Sequence, residues 1–328
     1  MSMSMADQAT PTTVLPRSAR ASVAQLPHAP GVYRFRDAHQ RVLYVGRAAS
    51  LRRRVGSYWT GLGDDRRLSQ MVRRIARIEA VLCDSEHEAA WLERNLLERQ
   101  LPHWNKTAGG QEVPVWIRLS WQSDTPGLSV VHSVLADTGA RHFGPYLGGN
   151  KVRLAVSGLH RVMPLAYAGD SLSGFELDMA RVRGVEPGAR VALVDTLTAV
   201  LDRDSTTVAS VRDELIRRRD GAAQSLDFER AARVQAELEG FDWVVSPQRA
   251  TVSEADDVDA YGWADGILVH FQVRAGRLCG WSARACAEAA AQRRVSTTSA
   301  RWVQFARRNA ELAARLIIPT SEDELTKA

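Results

Sequence analysis

The sequence predicts an α+β protein: a small antiparallel sheet flanked by helices, then a helical hairpin, then a small C-terminal α/β region. Three observations carry this expectation. The runs "GVYRF" from Gly31 and "RVLYV" from Arg41 are short, apolar and strand-like, and the polar "RDAHQ" between them has hairpin length. Apolar residues then recur at helical spacing in the stretches that follow. From Val211 to Phe241 the pattern changes to two helical stretches on either side of "SLD", the signature of an antiparallel helical pair.

A chain of 328 residues is long enough for roughly two or three domains with their own cores. Residues 1–24, rich in Ser, Thr, Ala and Pro without sustained periodicity, read as a mobile tail. Pairing Phe35 with Val42 in the first hairpin sets Tyr33 directly opposite Tyr44, and strand alternation then brings both phenols out on one face. Next, Leu51, Val55 and Tyr58, then Leu68, Met71, Ile75 and Ile78, fall at helical spacing, and "IEAVLC" reads as a third strand.

In "SEHEAAWLERNLLERQLPHWN", Ser85 and Glu88 occupy capping-box positions and Pro102 stops the run, which predicts a helix of about four turns. Glu93 sits on it among Ala89, Ala90, Leu96 and Leu97. A carboxylate on such a face is costly unless it is paired or holds a metal. Further on, "VPVWIRLSW" and "LSVVHSVL" read as strands, and "GPYLGGNKVRLAVSGLHRVM" as a Gly-rich turn feeding a helix. The last stretches read as strands with turns over "DVDAYGWADGILVHFQVRAGRLCGWSA" and an amphipathic helix over "SARWVQFARRNAELAARLI".

The charge distribution points to an anionic partner. Of 43 basic residues only Lys106, Lys151 and Lys327 are lysine, and arginine is the side chain whose planar fork holds phosphate oxygens in pairs. Between Arg41 and Arg77 ten arginines face only Asp64 and Asp65. Several classes are disfavoured. The sequence has no GxxxxGK[ST] loop, no GxSxG elbow and no zinc-ligand spacing among its His and Cys. Cys83, Cys279 and Cys286 form no CxxC pair, and no run reads as a signal or membrane span, so a cytoplasmic protein with reduced thiols and no membrane association is expected.

Taken together, Gly31-Val32-Tyr33, Tyr44-Val45-Gly46, Arg54, Glu93 and Asn105 reproduce in order the signature of the GIY-YIG nucleases. Within that family the chain resembles the N-terminal half of UvrC through "LYVGRAASLRRRVGSYW", "WLERNLLERQLPHWN" and "HFGPYLGGNKVR". The hairpin with "LDFERAARV" is similar to the UVR motif through which UvrC docks on UvrB. The likeness covers roughly residues 26–245, with a weaker echo to about 285. It divides the chain into the tail, a GIY-YIG nuclease domain at 25–108, a UvrC-like extension at 109–205, a UVR-like hairpin at 206–246 and a truncated UvrC-like region at 247–328. The RNase H-like nuclease and helix-hairpin-helix domains of UvrC are expected to be missing, a plan similar to the short homologue Cho. Departures are the hairpin itself, Arg47 where lysine is usual, and "GGQEVPVW" where UvrC has a lysine and aromatic segment.

The resemblance implies a metal-dependent DNA endonuclease of nucleotide excision repair that makes a single 3′-side incision near lesions in UvrB–DNA complexes. Glu93 is then the metal ligand, for Mg²⁺ or Mn²⁺, which accept one or two carboxylates plus water. A free tyrosine ionises near pH ~10, and a cation such as Arg47 favours its phenolate. Tyr44 is the first choice of base and Tyr33 the other. Arg54 is carried over onto the scissile phosphate, with Arg47 as a supplementary cation and Tyr58 and Asn105 positioning phosphate and helix. Arg47, Arg52, Arg53 and Arg54 are the expected DNA contacts, damaged duplex the expected substrate, and Leu226, Phe228 and Ala231 the expected UvrB contacts. The same residues also have plainer readings: strand tyrosines as packing, Arg52 to Arg54 as a solvated helix face, Glu93 as the partner of an arginine, and Gly31 and Gly46 as ordinary strand-end glycines. A second function class, a catalytically weak repair adaptor that binds DNA and UvrB, stands beside the enzyme.

Overall fold

The computed structural model describes residues 19–60, 66–106, 112–122, 126–134, 139–169, 172–186, 188–252 and 257–317. Along them run α1 (Ala19–Ser22), β1 (Gly31–Arg36), β2 (Val42–Ala48), α2 (Leu51–Thr60), α3 (Arg66–Val72), β3 (Arg77–Leu82) and α4 (Glu86–Arg99). Then come β4 (Val115–Ser120), β5 (Gly127–Val131), β6 (Ala140–Tyr146), α5 (Gly149–Val162), α6 (Phe175–Val182), α7 (Arg190–Leu201), α8 (Ser205–Gln224) and α9 (Phe228–Val245). The last elements are β7 (Val258–Ala264), β8 (Ile267–Arg274), β9 (Arg277–Ala285), α10 (Glu288–Val295) and α11 (Ala300–Ile317). The fold is α+β, with three antiparallel three-stranded sheets in the orders β2-β1-β3, β5-β4-β6 and β7-β8-β9 among the described residues. The chain divides into two compact units, one of residues 1–82, 96–108 and 256–328, the other of 83–95 and 109–255.

In the first unit β1 is central, bonded to β2 on one side and β3 on the other. The hairpin register differs from the expected one. Tyr33 lies opposite Gly46 and Phe35 opposite Tyr44, with a bulge between Phe35 and Arg36. The bulge takes up one residue at the turn and shifts the tyrosines from facing to diagonal neighbours, which still share a face. The helical periodicity expected through Ile78 also breaks early. α3 ends at Val72, and from Arg77 the chain pairs with β1, so Ile78 meets Phe35 across the sheet. An apolar run at mixed spacing follows the strand when an unpaired edge is there to receive it. Residues 19–24, assigned with the mobile tail, instead form α1 and a 3-10 turn, with Ala19 and Ser22 buried; residues 1–18 lie outside the described residues.

The apolar face of this sheet packs Tyr33, Phe35 and Ile78 against Leu51, Val55 and Tyr58 of α2 and Met71 of α3. Its other face carries Arg34, whose guanidinium is bonded to Glu79 and lies 3.9 Å from the Trp281 ring centroid. Arg34 Nη2 also donates to the Trp281 carbonyl at 2.8 Å. Burial would push the Glu79 carboxyl up, but Arg34, Arg36 and Arg77 together hold it below the usual range. Asn309 of α11 completes β3, accepting from Leu82 N–H at 2.7 Å and donating to Leu82 C=O at 3.2 Å. The C-terminal strands and α11 are therefore integral to the unit that contains the first sheet.

In the second unit the sheet of β4, β5 and β6 and the helices α5, α8 and α9 bury one core, including Ile117, Leu119, Leu159, Leu215, Val234 and Phe241. "GPY", expected in a turn, instead ends β6, which runs to Tyr146 before α5 begins at Gly149. The helical hairpin turns at Ser225–Asp227 as expected. Leu226 takes φ 59° there, and the Asp227 carboxylate caps α9 by accepting from Arg230 N–H at 3.1 Å. Within the pair, Leu215 and Leu238 are buried. Leu226 and Phe228 are 73% and 65% exposed, because the turn lifts them beyond the packed part of the pair.

Candidate active site

β1 and β2 bring three phenols together through one missing side chain. Tyr33 stands opposite Gly46, and a Cβ at position 46 would lie 2.6 Å from Tyr33 Oη and 2.7 Å from Tyr44 Cε1. Glycine lets the Tyr33 ring lie across the neighbouring strand. Gly31 is held as tightly, between the Val81 carbonyl and the Leu51 side chain. Both positions exclude a side chain, Gly46 because of the phenols and Gly31 because of β3 and α2. The signal in the sequence was the glycine two residues after Tyr44.

Tyr33 is wholly buried, and its hydroxyl lies 2.9 Å from that of Tyr58 on α2. The Tyr33, Tyr44 and Tyr58 ring centroids are mutually 6.1–6.2 Å apart. Phe35 holds two of them, stacked on Tyr44 at 6.2 Å and edge-on to Tyr58 at 5.2 Å. Tyr44 is half-buried. One turn before Tyr58, the exposed Arg54 guanidinium lies 5.4 Å from the Tyr58 ring centroid.

Burial first, then the Tyr58 and Tyr44 phenols, pushes the Tyr33 hydroxyl well above the usual tyrosine range, against the pull of Arg54. At Tyr33 desolvation outweighs the pull of a guanidinium, and the guanidinium nearby is that of Arg54. Conversely, Tyr33 above all raises the Arg54 pKa.

Asn105 secures the strand behind this cluster. Its Oδ1 accepts from Val45 N–H at 3.0 Å and its Nδ2 donates to Val45 C=O at 2.8 Å. Trp104 N–H adds a bond to Leu43 C=O at 3.2 Å. The side chain expected to position phosphate and helix thus fixes the backbone of β2 between Tyr44 and Gly46.

The structure therefore brings Tyr33, Tyr44, Arg54 and Tyr58 together, with Asn105 anchoring their strand. Arg47, Arg52 and Arg53 are exposed on β2 and α2 of the same unit. Glu93 is half-buried on α4, its helical neighbours Ala89, Ala90, Leu96 and Leu97 all buried, and it is counted with the second unit. The Ser85 hydroxyl caps this helix by accepting from Glu88 N–H at 3.0 Å, while Glu88 reaches back to Asp84 N–H at 2.6 Å, one residue beyond the expected capping-box partner. Among the described residues no three His, Cys, Asp or Glu side chains cluster as ligands. The donor chemistry of a half-buried carboxylate such as Glu93, a hard oxygen group, fits Mg²⁺ or Mn²⁺, which bring most of their own ligands. The expected docking residues Leu226 and Phe228 are exposed at the hairpin tip and Ala231 is half-buried beside them. No described helix is long and apolar enough to cross a membrane.

Residues 29–106 match the family model described as UvrC-like GIY-YIG domain. Along a longer stretch the chain is similar to UvrABC system protein C of Moorella thermoacetica, 31% identical over 254 residues, covering 74% of this chain and 40% of the relative. The same protein of Mycobacterium sp. (strain KMS) is 32% identical over 282 residues, 81% of this chain and 41% of the relative. That of Gemmatimonas aurantiaca is 28% identical over 312 residues, 90% and 50%. The chain thus spans half or less of the length of these relatives. A crystal structure of the GIY-YIG N-terminal endonuclease domain of UvrC from Thermotoga maritima, bound to its catalytic divalent cation, magnesium, is 28% identical over 26% of this chain and 94% of its own, with a TM-score of 0.25. The chain is a UvrC-like GIY-YIG protein, its UvrC-like GIY-YIG domain occupying residues 29–106.

Proposed function

We propose that this protein is a metal-dependent DNA endonuclease of nucleotide excision repair, making one incision on the 3′ side of a lesion in UvrB–DNA complexes. The observation that supports it most is the phenol–guanidinium cluster of Tyr33, Tyr44, Tyr58 and Arg54 inside the matching domain. Cutting a phosphodiester requires an oriented water, a route for its proton and neutralisation of charge on phosphate.

Tyr44, half-buried, is assigned as the group that takes the water's proton. Tyr33 stays protonated near neutral pH and acts by hydrogen bonding, fixed through Tyr58. Arg54 neutralises the phosphate, and Arg47, Arg52 and Arg53 hold the flanking backbone. Glu93 would hold a divalent cation, which would supply Lewis-acid stabilisation of developing charge on phosphate. Exposed Leu226 and Phe228, with Ala231, form the surface assigned to UvrB, since an apolar tip at the end of a rigid hairpin is a fitting anchor.

The test is an incision assay on a duplex labelled at both ends of the damaged strand, with and without UvrB. A single 3′-side nick that needs UvrB and Mg²⁺ or Mn²⁺ and is lost in Glu93→Gln is expected, with DNA affinity retained. Binding to UvrB and DNA without any nick establishes the adaptor instead. A folded Glu93→Gln protein cutting at the wild-type rate refutes the metal assignment.

A further inference from the structure

We infer that the outward face of α11 is a second contact surface for duplex DNA, on the same unit as the phenol cluster but formed by different residues. The inference rests on the reading of DNA as substrate and adds a surface to it. α11 runs for 18 residues and is divided by polarity. Trp302, Phe305, Ala306, Leu312 and Leu316 are buried, whereas Arg301, Arg307 and Arg315 are exposed and Arg308 is half-buried. Positions 301, 308 and 315 are seven residues apart and line one face at steps of about 10.5 Å.

The end of α11 shares its apolar cluster with α1 and α2: Leu312 and Leu316 pack with Ala19, Leu26, Leu51 and Val55. The exposed Arg20, Arg52 and Arg53 stand on the helices of that cluster, so arginines from three helices surround one core. From Glu288 to Ile317, six arginines face two glutamates. One of these, Glu311, pairs with Arg307 at 3.3 Å between exposed side chains, a bond worth little and readily exchanged for phosphate.

A line of arginines some 20 Å long fits a partner whose charge also repeats along a line. Duplex DNA carries one negative charge per ~1.7 Å of axis, so roughly a dozen phosphates lie within that span. An anionic membrane fits less well. A membrane-surface helix must turn its apolar face outward, and α11 has buried that face in the core.

The experiment measures binding of the full chain to an undamaged duplex of about 30 base pairs by fluorescence anisotropy across salt concentration. Wild type is compared with Arg301→Gln/Arg307→Gln/Arg315→Gln and with a charge-matched control on the other unit, Arg181→Gln/Arg183→Gln/Arg217→Gln. Removing one arginine–phosphate interaction lowers the log–log salt slope by about 0.9. The α11 variant, its fold checked by circular dichroism, is expected to fall by about two to three in slope, and the control by less than about 0.5.

Equal slopes for wild type and the α11 variant, or equal reductions in both variants, overturn the inference. So does wild-type binding to phosphatidylserine vesicles as tight as to duplex. The two proposals fail separately: a protein that never cuts but shows the reduced slope sinks the endonuclease and keeps this surface, and one that cuts with an unchanged slope does the reverse.

Discussion

Gly46→Ala tests whether the phenol cluster is built on a missing side chain. Carbon atoms pack at about 3.5–4.0 Å, and the added Cβ would meet Tyr33 Oη at 2.6 Å and Tyr44 Cε1 at 2.7 Å. One ring must therefore move by about 1 Å. Tyr33 has no room to do so, being wholly buried, bonded to Tyr58 at 2.9 Å and packed on Phe35 at 5.2 Å between centroids. Overpacking of this kind costs about 1–3 kcal/mol, and a displacement of about 1 Å at a reacting centre costs about 10²-fold in rate. Urea unfolding should show the loss in midpoint, and single-turnover cleavage the loss in rate, with DNA affinity unchanged because the arginines are untouched. Gly56→Ala on α2 is the contrast. Its Cβ would meet Val23 Cγ1 at an ordinary 3.5 Å, and replacing a helical glycine should stabilise by about 0.5–1 kcal/mol. If Gly46→Ala unfolds at the wild-type urea concentration and cleaves at the wild-type rate, the steric argument for the cluster is wrong.

Tyr44→Phe should slow the chemical step by about 10² or more at nearly constant binding, the usual contribution of a general base; Tyr33→Phe should also slow it without moving the pH profile near neutrality, and rates within twofold of wild type for both remove the phenols from the mechanism. Phe228→Ala should weaken capture by UvrB–DNA complexes while binding to naked DNA persists, and a wild type that UvrB fails to retain in a pull-down ends that assignment. His87 should make the protein acid-sensitive. It is wholly buried, accepts from Trp91 Nε1 at 3.1 Å, and has its pKa pushed down to about 3 by burial first and then by Arg203 and Lys151. With the folded pKa below the unfolded value of ~6.5, the unfolded chain takes up the proton first, so this stability is whole above pH ~6.5 and is lost toward pH 3 at about 1.4 kcal/mol per pH unit. Urea midpoints at pH 7 and pH 5 should differ less in His87→Phe than in wild type, and an undiminished difference excludes His87 as the cause.

The sequence was most legible where local pattern and tertiary pairing agree. The first hairpin, the four-turn helix around Glu93, the turn at Ser225–Asp227 and α11 all follow from alternation, caps and amphipathic spacing. Reading failed where a distant segment decides. The helical spacing from Leu68 runs on to Ile78, although α3 stops at Val72 and the third strand, expected from Ile78, starts at Arg77 along β1; and "GPY" scans as turn until β4 offers an edge to pair with. Leu226 and Phe228, expected as docking contacts, are exposed at the hairpin tip, where the turn geometry holds them outside the packed part of the pair. At the site, residue types in order were enough to nominate Tyr33, Tyr44, Arg54 and Tyr58. The register that makes Gly46 the floor under Tyr33 depends on a bulge that spacing does not reveal.

On the proposed mechanism, the same geometry gives different parts to two tyrosines that the motif treats alike. Both sit on one face of one hairpin, but the bulge leaves Tyr33 beneath Tyr58 and across Gly46, while Tyr44 stays half-buried beside Phe35. Desolvation acts on the first and fixes it as a neutral hydroxyl, able to give or accept a hydrogen bond but held from ionising near pH 7. A proton acceptor must meet its water, and the phenol with access to solvent is Tyr44. Asn105 matters to this difference more than its distance from the chemistry suggests: its two bonds to Val45 hold the one residue between Tyr44 and Gly46. A shift of β2 there would move the proposed base and the floor under its neighbour together, so one amide side chain sets the spacing of both phenols.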